Sequence, residues 1–275
     1  MNEKMTAYKI FKAILSPIYR FWYCPTIIGK ENIPEEGPII VVGNHVHIMD
    51  QCNVICVTKR KLHYMAKKEY FDNKKVAWFF RSSGCIPVDR SKKDEEATEA
   101  AKEVLEKKHA LGLFPEGTRN ALKDEKIQEL YNEYFSKEMT YKEFKKIAKK
   151  NKTSFVNYLL ELKEKKTITE DEFKVSLLDA NLFLKKLIDK KIITQKDYYE
   201  HVLLPLKFGA VSFAQKENAC LIPYAITGEY KFRSKTLTIR IGKPMKPEKD
   251  LEKANKKLRE EIIKLYQESE KNSGK

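Results

Sequence analysis

The segment Asn44-His-Val-His-Ile-Met-Asp50 sets two imidazoles and a carboxylate side by side where an apolar run gives way to a helical pattern. His45 and Asp50 lie five positions apart. Within one regular helix that spacing turns the two side chains about 140° away from each other. They meet only if His45 sits in a loop and Asp50 in the first turn of the helix that follows. The carboxylate then accepts from one ring nitrogen, fixes the tautomer, and leaves the other nitrogen as a base near neutral pH. Such a pair suits removal of a proton from an attacking hydroxyl. Two other readings stay open on this segment alone. One is a metal cluster, although the His-x-His-x-Asp-His spacing is missing and only His63, His109 and His201 remain as further ligands. The other is a structural histidine beside a helix-capping Asp.

A second group is Leu113-Phe-Pro-Glu-Gly-Thr-Arg119, at the end of an apolar strand pattern. Pro115 stiffens the exit, Gly117 lets backbone approach a ligand, and Glu116 with Arg119 puts an acid and a forked cation in one loop. A loop of this kind can bind phosphate while orienting a neighbouring hydroxyl; a structural turn with a surface ion pair is the alternative. A third group, Gly84-Cys-Ile-Pro-Val-Asp-Arg90, is a strand edge ending in Arg90, which with Lys67 can complete a phosphate clamp. Taken singly, Arg90 and Lys67 are two among 54 basic residues.

The elements that must carry these groups alternate between two periods. Residues 37–43, 61–66, 110–114, 220–226 and 236–241 read as strands. A helix should open just after Asn44-His45 and run on through Val54 to Thr58. Asp94 to Lys108 reads as an amphipathic helix with Ala97, Ala101, Val104 and Leu105 inward, and Asp250 to Glu268 as a long closing helix. This predicts an α/β fold: a mostly parallel sheet flanked by helices, with an N-terminal amphipathic helix and an all-helical insertion. The predicted division is a membrane-associating helical segment over 1–27, an α/β domain over 28–120 and 204–275, and a helical insertion over 121–203. The first segment is crowded with aliphatic and aromatic residues, among them Tyr19, Trp22 and Tyr23. It is punctuated by Lys4, Lys9, Lys12 and Arg20 and should break near Pro17. That composition suits a helix lying among lipid headgroups, though a helix packed on the core has the same residues.

The insertion carries a weak repeat of apolar residue, Thr, two polar residues, acid and aromatic. It starts at Met139, Ile168 and Ile193. Thr three positions before an acid is a helix-starting box, imperfect at Asp197 because its side chain is short. Lysines and acids nearly balance there, 18 against 15. The surplus of the whole chain, +15, therefore belongs mainly to the α/β part and the N-terminus. A surplus of that size favours an anionic partner such as a lipid surface or phosphorylated substrates. Nucleic acid is disfavoured, since no binding motif appears and aromatics are not interleaved with the basic residues. The five cysteines show no CxxC pair, which fits free thiols in a reducing compartment. No secretory signal and no apolar run long enough to span a bilayer is visible. The expected location is the cytoplasmic face of the cell membrane, bound peripherally.

Four segments in order resemble the glycerolipid acyltransferase family, in its 1-acylglycerol-3-phosphate acyltransferase branch. They are Asn44-His45-x4-Asp50, Gly84-x-Ile-Pro-Val-Asp-Arg90, Phe114-Pro-Glu-Gly-Thr-Arg119 and Ile222-Pro-Tyr-Ala-Ile-Thr-Gly228, with Leu206-Lys-Phe-Gly-Ala210 in support. The helical insertion lies outside the resemblance, where the family has a short connection. The resemblance implies His45 as general base and Asp50 as its orienting partner. It also implies that Glu116 positions the acceptor, Gly117 and Thr118 shape the loop, Arg90, Arg119 and Lys67 hold a phosphate, and Pro223 lies in the acyl-donor region. Asn120 stands where the family often has Ser, a difference expected to matter little. The implied substrates are an acyl thioester of CoA or acyl carrier protein and lysophosphatidic acid, with no cofactor and no metal. Another lysophospholipid or glycerol 3-phosphate as acceptor, or a non-catalytic lipid-binding module, are the alternatives. No Gly-x-Ser-x-Gly elbow occurs, so transfer should be direct rather than through a serine acyl-enzyme.

Overall fold

The computed structural model describes residues 3–89, 94–120, 125–150 and 153–273. The chain divides into two compact units. The larger takes residues up to Asn44, Ile48–Pro115 and those from Lys207 onward; the smaller takes His45–His47 and Glu116–Leu206.

The larger unit is built on seven strands: β1 Thr26–Ile28, β2 Ile39–Gly43, β3 Leu62–Lys67, β4 Ile86–Val88, β5 Ala110–Leu113, β6 Cys220–Thr227 and β7 Thr238–Ile241. They form one sheet in the order β1-β7-β6-β2-β5-β3-β4. Among these strand pairs β6–β7 is antiparallel and the others are parallel. The class expected from the alternating pattern is the class observed. β2 is buried along its whole length, which is why it reads as an unbroken β-branched run rather than an alternating one. Helices α1 Glu3–Tyr23, α2 Asp50–Ile55, α3 Glu69–Asp72, α4 Ala77–Ser82 and α5 Glu95–Glu106 follow in chain order. In α5 the four residues that the pattern turned inward are the four that are buried. Its first turn is capped by Asp94, which accepts from the Ala97 N–H at 3.0 Å. Two glycines make room for rings under the sheet's exit edge. A Cβ on Gly43 would stand 2.4 Å from Tyr224, and one on Gly112 would stand 2.3 Å from Tyr64.

Two local expectations differ from the structure. α1 is continuous through Pro17. Pro17 and Ala13 both lie on the exposed side, where water can serve the carbonyl that proline leaves without a donor. The helix after β2 begins at Asp50 rather than beside His45, and it ends at Ile55. Residues His45–His47 have left the larger unit by then.

The smaller unit holds α6 Glu125–Phe135, α7 Tyr141–Lys150, α8 Ser154–Glu164, α9 Glu170–Ser176, α10 Ala180–Asp189 and α11 Gln195–Glu200. The repeat seen in sequence is a structural one and is longer than it looked. Lys137, Lys166 and Lys191 each stand three positions before the repeated Thr with φ of 63°, 56° and 58°, so each preceding helix ends in the left-handed conformation. The Thr then starts the next helix. Thr169 with Glu172 and Thr194 with Asp197 are complete reciprocal boxes. The shorter Asp197 side chain therefore reaches, its Oδ2 accepting from the Thr194 N–H at 2.9 Å. The repeated aromatics Phe144, Phe173 and Tyr198 are all buried and supply much of this unit's core. The chain returns to the sheet through α12 Gly209–Lys216, and α13 Leu251–Ser273 packs against β6 and β7.

Candidate active site

Because β2, β3, β4, β5 and β6 run parallel through their shared pairings, their C-terminal ends line one edge of the sheet. Open α/β sheets bind ligands at that edge. Asn44 follows β2, Phe114 follows β5 and Lys67 ends β3 at that edge, whereas Gly84 precedes β4 and Pro223 lies within β6. Asn44 directly follows β2 and is 2% exposed. Its Nδ2 donates to the Ile226 carbonyl at 2.9 Å and its Oδ1 accepts from the Ile226 N–H at 2.7 Å. The side-chain amide thus supplies one more rung of pairing with β6 and fixes the point at which the chain leaves the sheet.

His45 comes next, and its backbone is held from both sides. Its N–H donates to Glu116 Oε1 at 2.8 Å, and its carbonyl accepts from the Asn120 N–H at 2.6 Å. The other oxygen of Glu116 accepts from the Leu204 N–H at 2.8 Å. Glu116 is 4% exposed. A buried carboxylate needs such donors, and here both are main-chain amides of the smaller unit. The Glu116 side chain therefore braces the His45 segment.

Asn120, taken from sequence as a minor difference, is a hub. It is fully buried. Its Nδ2 donates to Ser154 Oγ at 2.7 Å and to the Val202 carbonyl at 3.1 Å, while its Oδ1 accepts from the Ser154 N–H at 3.1 Å. Thr153 makes no side-chain cap on α8, so Asn120 serves that helix start from a distance. Serine is too short to offer an acceptor and two donors together, so the expectation of little consequence does not hold.

In the larger unit Asp50 is the first residue of α2 and is fully buried. The Tyr230 hydroxyl donates to its Oδ1 at 2.5 Å. Tyr230 was not found from sequence; nothing in its spacing marks it. Lys67 is exposed at the end of β3. Pro223 is buried within β6 opposite Val42, and its carbonyl accepts from the Gly242 N–H at 2.8 Å. Gly117 has φ +70°, Gly117 and Thr118 are half-buried, and Arg119 is exposed. Arg90 lies outside the described residues. The structure thus sets His45, Glu116, Gly117, Thr118 and Arg119 in the smaller unit, and Asp50, Lys67 and Pro223 in the larger.

Cys52, close to Asp50 in sequence, has its thiol pushed up to about 12, first by burial and then by the nearby Cys56 and Asp50. It is protonated at neutral pH and a poor nucleophile. Among the described residues, no three His, Cys, Asp or Glu side chains gather as a metal-ligand set.

The family model described as Acyltransferase matches residues 24–227, and the chain belongs to that family. Its relatives within the family include proteins called 1-acyl-sn-glycerol-3-phosphate acyltransferase. The one from Bacillus subtilis is 29% identical over 96 residues, covering 34% of this chain and 48% of that protein. That from Borreliella burgdorferi is 30% identical over 103 residues, covering 37% of this chain and 41% of that one. The matched stretch is thus less than half the length of either relative. The solved structure of the 1-acyl-sn-glycerophosphate (LPA) acyltransferase PlsC from Thermotoga maritima aligns with a TM-score of 0.56 at 17% identity, over 100% of this chain and 85% of that one. It shares the fold.

Proposed function

We propose that this acyltransferase moves a fatty acyl group from acyl-CoA or acyl carrier protein to the free hydroxyl of lysophosphatidic acid, giving phosphatidic acid. His45 takes the proton of the hydroxyl as its oxygen attacks the thioester carbonyl. The new C–O bond forms, the tetrahedral intermediate collapses, the C–S bond breaks, and the thiolate leaves and takes up a proton. Asp50 orients His45 and steadies the imidazolium. Arg119, Lys67 and Arg90 hold the acceptor's phosphate. Gly117 and Thr118 shape the loop that presents it. Glu116 positions the acceptor indirectly, through the His45 segment it braces. Pro223 acts by packing beneath the acyl donor. The transfer as written calls on no cofactor. The observation that carries this reading is the fully buried carboxylate of Asp50 at the start of α2, reached from β2 through the short His45–Met49 segment. A buried carboxylate at a sheet's ligand-binding edge is costly unless it has work to do.

The enzyme works on a lipid surface, at the cytoplasmic face. The apolar side of α1 points outward: Ile10, Ile14, Ile18, Phe21 and Trp22 are each at least half exposed. Among the described residues no helix is long and apolar enough to cross a membrane. An outward apolar stripe on a basic chain suits a helix lying in an anionic headgroup layer.

A thioester-release assay with purified protein and vesicles tests the reaction. Release of thiol should depend on lysophosphatidic acid and yield phosphatidic acid. Release that answers only to glycerol 3-phosphate or to another lysophospholipid moves the acceptor assignment, and release with none of them refutes the reading.

A further inference from the structure

The buried face of α1 reaches the candidate active site through a chain of side chains within the larger unit. Tyr19 is 4% exposed, and its hydroxyl donates to Asn53 Oδ1. Asn53, fully buried in α2, donates through Nδ2 to the Tyr230 hydroxyl at 2.7 Å and to the Asp50 carbonyl at 3.1 Å. Tyr230 in turn donates to Asp50 Oδ1. Asn53 accepts from Tyr19 and donates to Tyr230 and to the Asp50 carbonyl, and the Tyr230 hydroxyl accepts from Asn53 and donates on, so the series ends on the Asp50 carboxylate. Donors aligned in this way polarise one another toward the carboxylate. Burial, and next the Asp50 charge, push the Tyr230 phenol well above its ordinary range, so it stays a donor.

We propose that Tyr230 is a positioning residue that sets the orientation of Asp50, and that Tyr19 and Asn53 tie this orientation to the seating of α1. The proposal rests on the reading of Asp50 as the carboxylate that orients His45. Packing fastens the same parts together. The Tyr23 ring of α1 stands 5.1 Å from that of Tyr19 and 5.4 Å from that of Tyr230. Two residues beyond Tyr230, the Phe232 ring meets Trp22 edge-on at 4.8 Å, and the Arg233 N–H donates to the Trp22 carbonyl at 2.7 Å. The segment that holds Asp50 is therefore clamped to the end of α1, where Phe21 and Trp22 touch it and still stay at least half exposed. A helix that docks on lipid is in this way wired to the carboxylate, and a displaced α1 would release it.

The test uses the full chain on vesicles and measures kcat, KM for donor and acceptor, and thermal midpoint for Tyr230→Phe, Tyr19→Phe and Asp50→Asn. Tyr230→Phe keeps the ring contacts and removes both the hydrogen bond to Asp50 and the acceptor of Asn53; kcat should fall about 10- to 100-fold at unchanged KM. Tyr19→Phe, two links away, should lower kcat about threefold at unchanged KM and unchanged vesicle binding. A loss of stability alone would not produce that split. Wild-type kcat in both Phe variants, with Asp50→Asn inactive, overturns the positioning role and leaves the site standing. Wild-type turnover in Asp50→Asn overturns the reading of the site itself.

Discussion

Replacing Glu116 by Gln separates a brace from a substrate-binding group. Both carboxylate oxygens accept from backbone N–H groups, those of His45 and Leu204, each at 2.8 Å. Gln keeps one acceptor and turns an NH2 group toward the other amide. One charge-assisted bond is lost outright, the remaining one weakens, and a donor faces a donor. With hydrogen bonds to a charged group worth about 1.5–3 kcal/mol, the substitution should cost about 2–4 kcal/mol. At about 2–4 °C per kcal/mol for a chain of this size, the thermal midpoint should fall by about 5–15 °C. The His45 segment loosens with it, so kcat should drop about tenfold while KM for lysophosphatidic acid moves less than twofold. Circular dichroism melts and steady-state kinetics on one preparation read both effects. An unchanged midpoint together with a raised KM for the acceptor would refute the brace and return Glu116 to the substrate.

Two further outcomes follow from groups away from the chemistry. Substituting Ile14→Glu and Ile18→Glu together, both 56% exposed, should cut co-sedimentation with anionic vesicles about tenfold or more and leave the fold intact. Wild-type binding should weaken as salt rises, and binding indifferent to both changes contradicts the role of α1. His63 is held down to about 4 against an ordinary 6.5, first by burial and then by Lys61. Its folded value lies below its unfolded one. The neutral ring therefore contributes stability above pH 6.5 that is lost as pH falls toward 4, about 3 kcal/mol in all. Urea midpoints measured across that window should drop with pH, and His63→Gln should flatten the drop.

The fold was legible wherever one short segment carried its own periodicity. α5 shows its four inward residues at helical spacing, β2 shows an unbroken β-branched run, and each Thr box lies within four residues. What escaped depends on partners far along the chain. Asn120 becomes a hub because Ser154 and Val202 fold onto it, the latter 82 positions away. Tyr230 bonds Asp50, 180 positions earlier. Glu116 is marked in sequence by the glycine and arginine that share its loop, but its bonds to the main chain are not. Its amide donors come from residues 71 and 88 positions distant. Pro17 misled for the opposite reason, since a local rule for breaking helices is waived where water can reach the carbonyl.

The central claim is that the imidazole of His45 removes the acceptor's proton. The direct measurement is turnover of His45→Ala against wild type with saturating acyl thioester and lysophosphatidic acid, on protein whose melting curve matches wild type. A general base of this kind predicts a fall of about 10²–10⁴-fold in kcat with the fold preserved. Turnover equal to wild type in that variant would contradict the account.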